Sequence, residues 1–336
     1  MKIAVVFDTP RKGWEHDDFL KEVAAKVEEA EYEVAAALIA GGHDVRLIGV
    51  WDDLHHLLDR LHAFQPDLVF NCAEGFDGQA ALDYVFAGVL EAQGLTFTGS
   101  PALGLIATRN KAVTKQILSH CGIKVAGFEM YRLDESVNRE ATFTFPLIVK
   151  PLQEDASAGI SQASIVWDRE ALVERVDFVH QNFTQPAIVE EFVPGRELYV
   201  GMLGNGSDLE ILPLVEMVWG REVPAEERVA TRLAKWDDAY RGRKGIRNVF
   251  ARPISKRARE TIAECCRTAF RALWLRDYAR LDVRLTPEDE VWVIEANANP
   301  YISYGHDMAN AAEKAGFKYP AFIQRIADEA LRRHDH

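Results

Sequence analysis

Two kinds of apolar pattern alternate along the first hundred residues. Ile3 to Phe7 form an unbroken apolar stretch, the mark of a strand buried on both faces. From Asp18 to Ala40 the apolar positions Phe19, Val23, Val27, Val34 and Leu38 fall at helical spacing, and Gly41 and Gly42 end the pattern. The same reading predicts strands over 45–50 and 68–72, helices over 54–64 and 79–92, and a short strand reaching Thr98. Strands alternating with helices predict a parallel, doubly wound α/β sheet, and Gly99, Ser100 and Pro101 close this first domain at about residue 100.

A second unit is expected over 101–185. It holds a helix at 111–120, strands at 125–131 and 145–151, a polar small-residue loop at 154–159, and a strand and helix reaching Phe183. The third unit, 186–336, opens on the strand that carries Glu190 and continues through strands at 198–203 and 210–218. Trp219 to Arg252 is highly charged and lacks periodicity, so it reads as a long surface loop of the kind that closes active sites. Two helices, near 308–315 and 319–333, end the chain.

Before those helices come RLDVR at 280–284 and VWVIEANANP at 291–300, which flank a short polar turn and read as a hairpin. If the turn is the four residues 287–290, Asp282 lies opposite Glu295 and Arg280 opposite Asn297, with all four on one face. Two carboxylates and an amide oxygen make an all-oxygen cradle for a hard cation. Mg2+ suits such a site, holding one or two carboxylates while substrate phosphates complete its shell. A slip of one residue would send Asp282 to the other face.

Composition narrows the partners. A 336-residue chain with 48% hydrophobic and 27% charged residues fits a soluble protein of two or three domains. Its net charge of −13 argues against nucleic-acid binding, so any polyphosphate must be met by a local cluster of basic residues. The four cysteines show no metal-ligand spacing and suit a reduced, cytoplasmic protein. No apolar run approaches the roughly 20 residues of a membrane span.

Lys150 ends an apolar strand just before Pro151, and Lys111 begins a helix. Either alone is an ordinary surface lysine. Beside the loop at 156–159, whose amides can approach phosphate oxygens, they read as phosphate contacts. Read as exposed, Lys150 should be replaceable by Ala with weakened nucleotide binding and little loss of stability. The strand end Glu190 to Val193 offers backbone groups beside an apolar side chain that suit a flat purine, and Glu197 can accept a ribose hydroxyl. No P-loop and no GxGxxG fingerprint is present.

Taken in order, LIVKP with its small-residue loop, VEEFVPGRE, RLDV and VIEANANP resemble the ATP-grasp superfamily. Glu74, Gly75, Asp77 and Gly78, the Thr98-Gly99-Ser100 turn, and Asn110-Lys111 narrow the resemblance to D-alanine–D-alanine ligase-like enzymes. It covers roughly residues 65 to 330. The resemblance implies a three-domain ATP-grasp fold, α/β in the first domain and α+β in the ATP-grasp part, with ATP held between two sheets. It assigns Lys111 and Lys150 to the ATP phosphates, Glu190 and Val193 to adenine, and Glu197 to ribose. Asp282, Glu295 and Asn297 would hold Mg2+, or Mn2+ in its place. Arg280 would face the reacting carboxyl group, Ser157 would belong to the phosphate loop, and Lys235 would reach the γ-phosphate when the lid closes.

The departures concern the substrate pockets. Where the D-alanine ligases carry a glutamate for the first amino acid, this chain has the basic stretch Thr9 to Gly13; Ala156 and Ser157 replace paired serines. Tyr301, His306, Asp307 and Trp236 also differ from the family pattern. Arg11 and Lys12 should attract a carboxylate rather than an amine, so free D-alanine is expected to be a poor substrate. The favoured reading is an ATP-dependent carboxylate–amine ligase working through an acyl phosphate on small-molecule substrates. An ATP-binding regulatory protein without turnover and an ATP-grasp phosphotransferase are the alternatives. Which acid and amine are used, and whether the chain forms a homodimer, the residues leave open.

Overall fold

The structure, a computed structural model, describes residues 1–14, 19–137, 142–155 and 157–334. The first sheet is parallel, with β1 (Lys2–Asp8) between β2 (Asp44–Val50) and β3 (Leu68–Asn71). A single bridge from Val69 to Phe97 continues it, where a fourth strand was expected. The long helix predicted over 18–40 is two: α1 (Leu20–Ala25) and α2 (Ala30–Ala40). Lys26 ends the first in the left-handed region at φ 56°, its N–H donating back to the carbonyls of Glu22 and Val23. Asp53 caps α3 (Leu54–Phe64), its Oδ1 accepting from the N–H of His55 and His56. A 3₁₀ turn precedes α4 (Tyr84–Ala92).

Two helices, α5 (Ala102–Arg109) and α6 (Lys111–His120), lead to a four-stranded antiparallel sheet. Its strands are β4 (Phe128–Tyr131), β5 (Leu147–Pro151), β6 (Ile165–Val166) and β7 (Ala187–Glu191), in the order β4-β7-β5-β6, with α7 (Arg169–Phe183) against it. The strand that carries Glu190 therefore pairs with β4 and β5 in this sheet. By sheet membership the division falls after Glu191, not at 185.

The third sheet runs β11-β10-β8-β12-β13, with β9 beside β8. Its members are β8 (Arg196–Leu203), β9 (Glu210–Ile211), β10 (Val215–Val218), β11 (Arg247–Phe250), β12 (Tyr278–Leu285) and β13 (Val291–Asn297). The segment 219–252 is not a plain loop: it holds α8 (Arg232–Trp236), α9 (Asp238–Lys244) and β11. Elements of four to seven residues are too short for periodicity to register. Ala230, Ala234 and Ile246 nevertheless join a core cluster. The amphipathic α10 (Lys256–Ala272) buries Ala258, Ile262, Cys266, Ala269 and Phe270. After α11 (Asp307–Lys314), the last helix α12 (Tyr319–His334) returns to the first domain, where Phe322, Ile323 and Ile326 pack with Ile3, Val5 and Phe7.

The hairpin differs from expectation in its turn. Thr286 N–H bonds Glu290 O, so the turn has three residues, with Asp289 left-handed at φ 62°. Leu285 pairs with Val291 and Val283 with Val293, one step away from the expected register. A bulge at Ile294 then restores the phase, so that Asp282 faces Glu295 and Arg280 faces Asn297 after all.

Candidate active site

Strand alternation and pairing place one row of side chains on one face of the third sheet. Glu295, Asp282, Tyr199, Val215 and Phe250 are successive partners across five strands. The neighbouring row contains Arg284, Glu197, Met217 and Asn248. The four-stranded sheet supplies the facing wall, with Lys150 on β5 and Glu190 on β7.

Between these walls, cations and carboxylates interleave. Lys150 Nζ lies 2.9 Å and Lys115 Nζ 3.2 Å from Glu190 Oε2. Lys111 Nζ is 3.5 Å from Glu295 Oε1 and also donates to the carbonyl of Glu154 in the small-residue loop. Lys235 Nζ is 3.8 Å from Asp282 Oδ2. Arg280 grips Asp282 with Nε and Nη2 at 2.7 and 3.1 Å, and its guanidinium sits 5.2 Å from the Tyr199 ring centre. Despite net acidity, the chain thus concentrates four lysines and an arginine in one cleft.

Burial works against the charge on Glu295, but Lys111, Lys235, Lys150 and Arg280 more than offset it and hold the carboxyl down at about 2. Burial likewise opposes charge on Glu190, and Lys115 and Lys150 again outweigh it. Asp282 is raised by burial, which Arg280 and Lys235 only partly offset, and Glu295 adds a smaller repulsion.

Each residue singled out from the sequence can now be located. Lys111, Lys150, Lys235, Arg280, Asp282, Glu190, Glu295 and Asn297 are all linked into this cluster. Lys150 is only 6% exposed, so the expectation of a surface lysine removable without loss of stability does not hold. Ser157 is buried in the left-handed region at φ 61°, and Ala156 lies outside the described residues. Val193 is half-buried on the crossing from β7 to β8. Glu197 accepts from Arg284 Nη2 at 2.8 Å and Tyr199 Oη at 3.0 Å, each oxygen keeping a lone pair for another donor. Lys12 pairs with Asp52, Arg11 stacks 4.4 Å from the Trp14 ring, and neither lines the cavity beside the cluster. The nearby strand ends are acidic instead: Asp8 accepts from Glu74 N–H, and burial raises its carboxyl.

The sequence reading overlooked Lys115, Arg284 and Arg109. Lys115 is one helical turn from Lys111 and 1% exposed. Arg284 continues the alternation of Arg280 and Asp282, and it ties the inter-sheet crossing by donating to Gly195 O at 3.0 Å. There Gly195 has φ 145°, and a side chain would meet Leu285 O at 2.5 Å. Arg109 joins Asp83 of the first domain to Asp155 of the small-residue loop. Only tertiary structure makes Arg109 visible, because its partners are distant in sequence.

A polyphosphate fits this donor set. The lysines now paired with carboxylates could turn to phosphate oxygens, and Glu190 Oε1 is buried without a donor, a place for an amino group. A hard cation fits the paired Asp282 and Glu295, whose repulsion it would relieve, although Asn297 now turns its NH2 towards Asp282 at 3.4 Å. Among the described residues no group of three or more His, Cys, Asp or Glu side chains is gathered to hold a metal alone.

This architecture, two antiparallel sheets enclosing a lysine-rich cleft behind a parallel domain, is the ATP-grasp fold. The D-ala D-ala ligase C-terminus family matches residues 117–328, and the chain belongs to that family. Among relatives, an uncharacterized protein, y4sG, of Sinorhizobium fredii is 32% identical over 310 residues, 90% of this chain and 87% of the relative. A D-alanine–D-alanine ligase of Aquifex aeolicus is 29% identical over 307 residues, 91% and 95% of the two chains. The D-alanine–D-alanine ligase of Bacillus anthracis, solved with ATP, superposes with a TM-score of 0.77 at 20% identity, covering 100% of this chain and 99% of that one.

Proposed function

We propose that this protein is an ATP-dependent carboxylate–amine ligase that forms amide bonds between small molecules. The observation that carries the reading is the convergence of Lys111, Lys150, Lys235 and Arg280 on the buried carboxylates Glu190 and Asp282 and the part-buried Glu295 in a chain of net charge −13. ATP would supply the phosphoryl group that activates a carboxylate, and Mg2+ (or Mn2+) would neutralise phosphate charge.

In this reading Lys111 and Lys150 hold phosphate oxygens as point charges, and Lys235 closes over them from α8. Glu190 Oε1 and the backbone at Val193 receive the adenine, and Glu197 accepts a ribose hydroxyl. Asp282, Glu295 and Asn297 would hold the cation. Arg280 would hold the reacting carboxyl oxygens and stabilise the charge that develops as the amine attacks; loss of such a donor typically costs roughly 100- to 1,000-fold. The small-residue loop with Ser157 closes beside the phosphates. No side-chain nucleophile is required: the residues orient the two reactants and exclude water. Site of action in the cytoplasm is supported by four free thiols; among the described residues no helix is long and apolar enough to cross a membrane.

The test is phosphate release from ATP with panels of amino acids, peptides and dicarboxylates, alone and in pairs. Release that requires an amine together with a carboxylate is the expected result. ADP with a stable phosphorylated product would instead mean a phosphotransferase, and binding without turnover a regulatory protein.

A further inference from the structure

Beyond the lysine cluster the cleft continues as a cavity of about 1590 Å3. A pocket for a single small ligand typically occupies roughly 300–1,000 Å3. Part of the cavity lies beside the first domain, lined by Glu74, Asp83 and Arg109, and a second part extends towards β10 and β11. The floor of this second part holds Tyr199, Val215 and Phe250, the last lying two strands from the first, or about 10 Å at the usual strand spacing. One wall is α11, which runs from Asp307 to Lys314, about 10 Å along its axis.

The two ends of this arm differ in charge. At the inner end Asp307 is held by both hydrogen-bond contacts from Asn248 Nδ2, at 2.9 and 2.8 Å. A fixed carboxylate there favours an amino group. At the outer end the Lys314 ammonium stands 5.5 Å from the Phe250 ring centre, and no carboxylate among the described residues pairs with it. Glu313 lines the same stretch one residue earlier. An extended chain advances by at most roughly 3.3–3.6 Å per residue, so about three residues span the arm.

We infer that the amine substrate is an extended molecule of peptide length, entering amine-first past Asp307 with its distal carboxylate at Lys314. A free amino acid fills only the inner end. This rests on the ligase reading for the word substrate, but the binding arm can be tested without turnover.

The experiment is calorimetric titration of alanine, dialanine and trialanine, in both L- and D-series, into the protein loaded with a non-hydrolysable ATP analogue. The expected result is trialanine at least about tenfold tighter than alanine in one series, with the trialanine-to-alanine affinity ratio falling about tenfold in Lys314→Glu, as loss of a charged contact predicts. A ratio near one in the wild type, or a ratio that Lys314→Glu leaves unchanged, would overturn the inference. Because binding is read separately from phosphate release, failure of ligation with every pair would count against the ligase reading alone.

Discussion

At the scale of single residues, Glu190 shows how a buried carboxylate is kept paired in the proposed nucleotide site. It is 1% exposed and shared by two lysines through one oxygen. If Lys150 turns to a phosphate, Lys115 remains, so the carboxylate is never left bare in the interior. Removing one partner of a buried ion pair costs roughly 3–5 kcal/mol, and with Lys150 still present Lys115→Met should cost less, about 2 kcal/mol. Nucleotide affinity should fall too, because Lys150 is then retained by Glu190. The double variant Lys115→Met with Glu190→Gln should be less stable than the single one, since it leaves the buried Lys150 ammonium without its carboxylate. Urea titration of the three proteins checks this, and a double variant as stable as the single one would refute it.

At the scale of elements, the hairpin reaches the expected pairing by an unexpected route. A three-residue turn shifts the ladder one step, and the Ile294 bulge shifts it back. Burial along β13 changes phase at the same point, between Val293 and Ala296. The turn depends on Asp289 at φ 62°, a conformation that costs a β-branched residue about 1–2 kcal/mol. Asp289→Val should therefore lower stability by about that amount, whereas Asp289→Gly should be neutral or stabilising. Equal denaturation midpoints for the two variants would contradict this account. Beyond the hairpin, Asn297 and Asn299 divide their tasks. Asn297 faces Asp282, while Asn299 Oδ1 accepts from Ser100 N–H at 2.9 Å and locks the strand end to the first domain.

At the scale of the molecule, long-range polar contacts join the three sheets. Asp277, fully buried, accepts from Gly99 N–H, Asn205 and Arg333, linking first domain, third sheet and final helix. Where the first sheet meets the cleft, burial, then Glu29, Asp8 and Glu74, push Glu31 up to about 7. The folded chain then binds this proton more tightly than the unfolded chain. The contribution of Glu31 to stability is therefore greatest below about 4.5, falls as pH rises to about 7, and is flat above. Glu31→Gln should remove a loss of about 2 kcal/mol between pH 5 and pH 8, a value reduced from the full shift because the side chain is half-buried. Denaturation midpoints of both proteins at the two pH values measure it; the same slope in wild type and variant would be the contrary result.

The sequence by itself determined the elements whose pattern is local and long enough to read: β1, α3, α6, the two hairpin strands and the last two helices. It also determined that Arg280 and Asp282 share a face of one strand, and Glu295 and Asn297 a face of the other, because alternation is a property of any strand; that the two pairs meet depended on the bulge at Ile294. The 17-residue α10 was legible in the same way, through Ala258, Ile262, Cys266 and Ala269, and went unread. Only the tertiary structure decided the rest. That β7 joins β4 and β5, that Lys115 meets Glu190, and that Arg109 bridges Asp83 and Asp155 depend on pairings between residues far apart in the chain. So does the return of α12 to the first sheet. Short elements such as α8 and β11 carry no periodic signal, and their places are set by the burial of Ala234 and Ile246 against the sheet. Local pattern fixes which way side chains face, whereas their partners are chosen by burial and charge compensation summed over the whole chain.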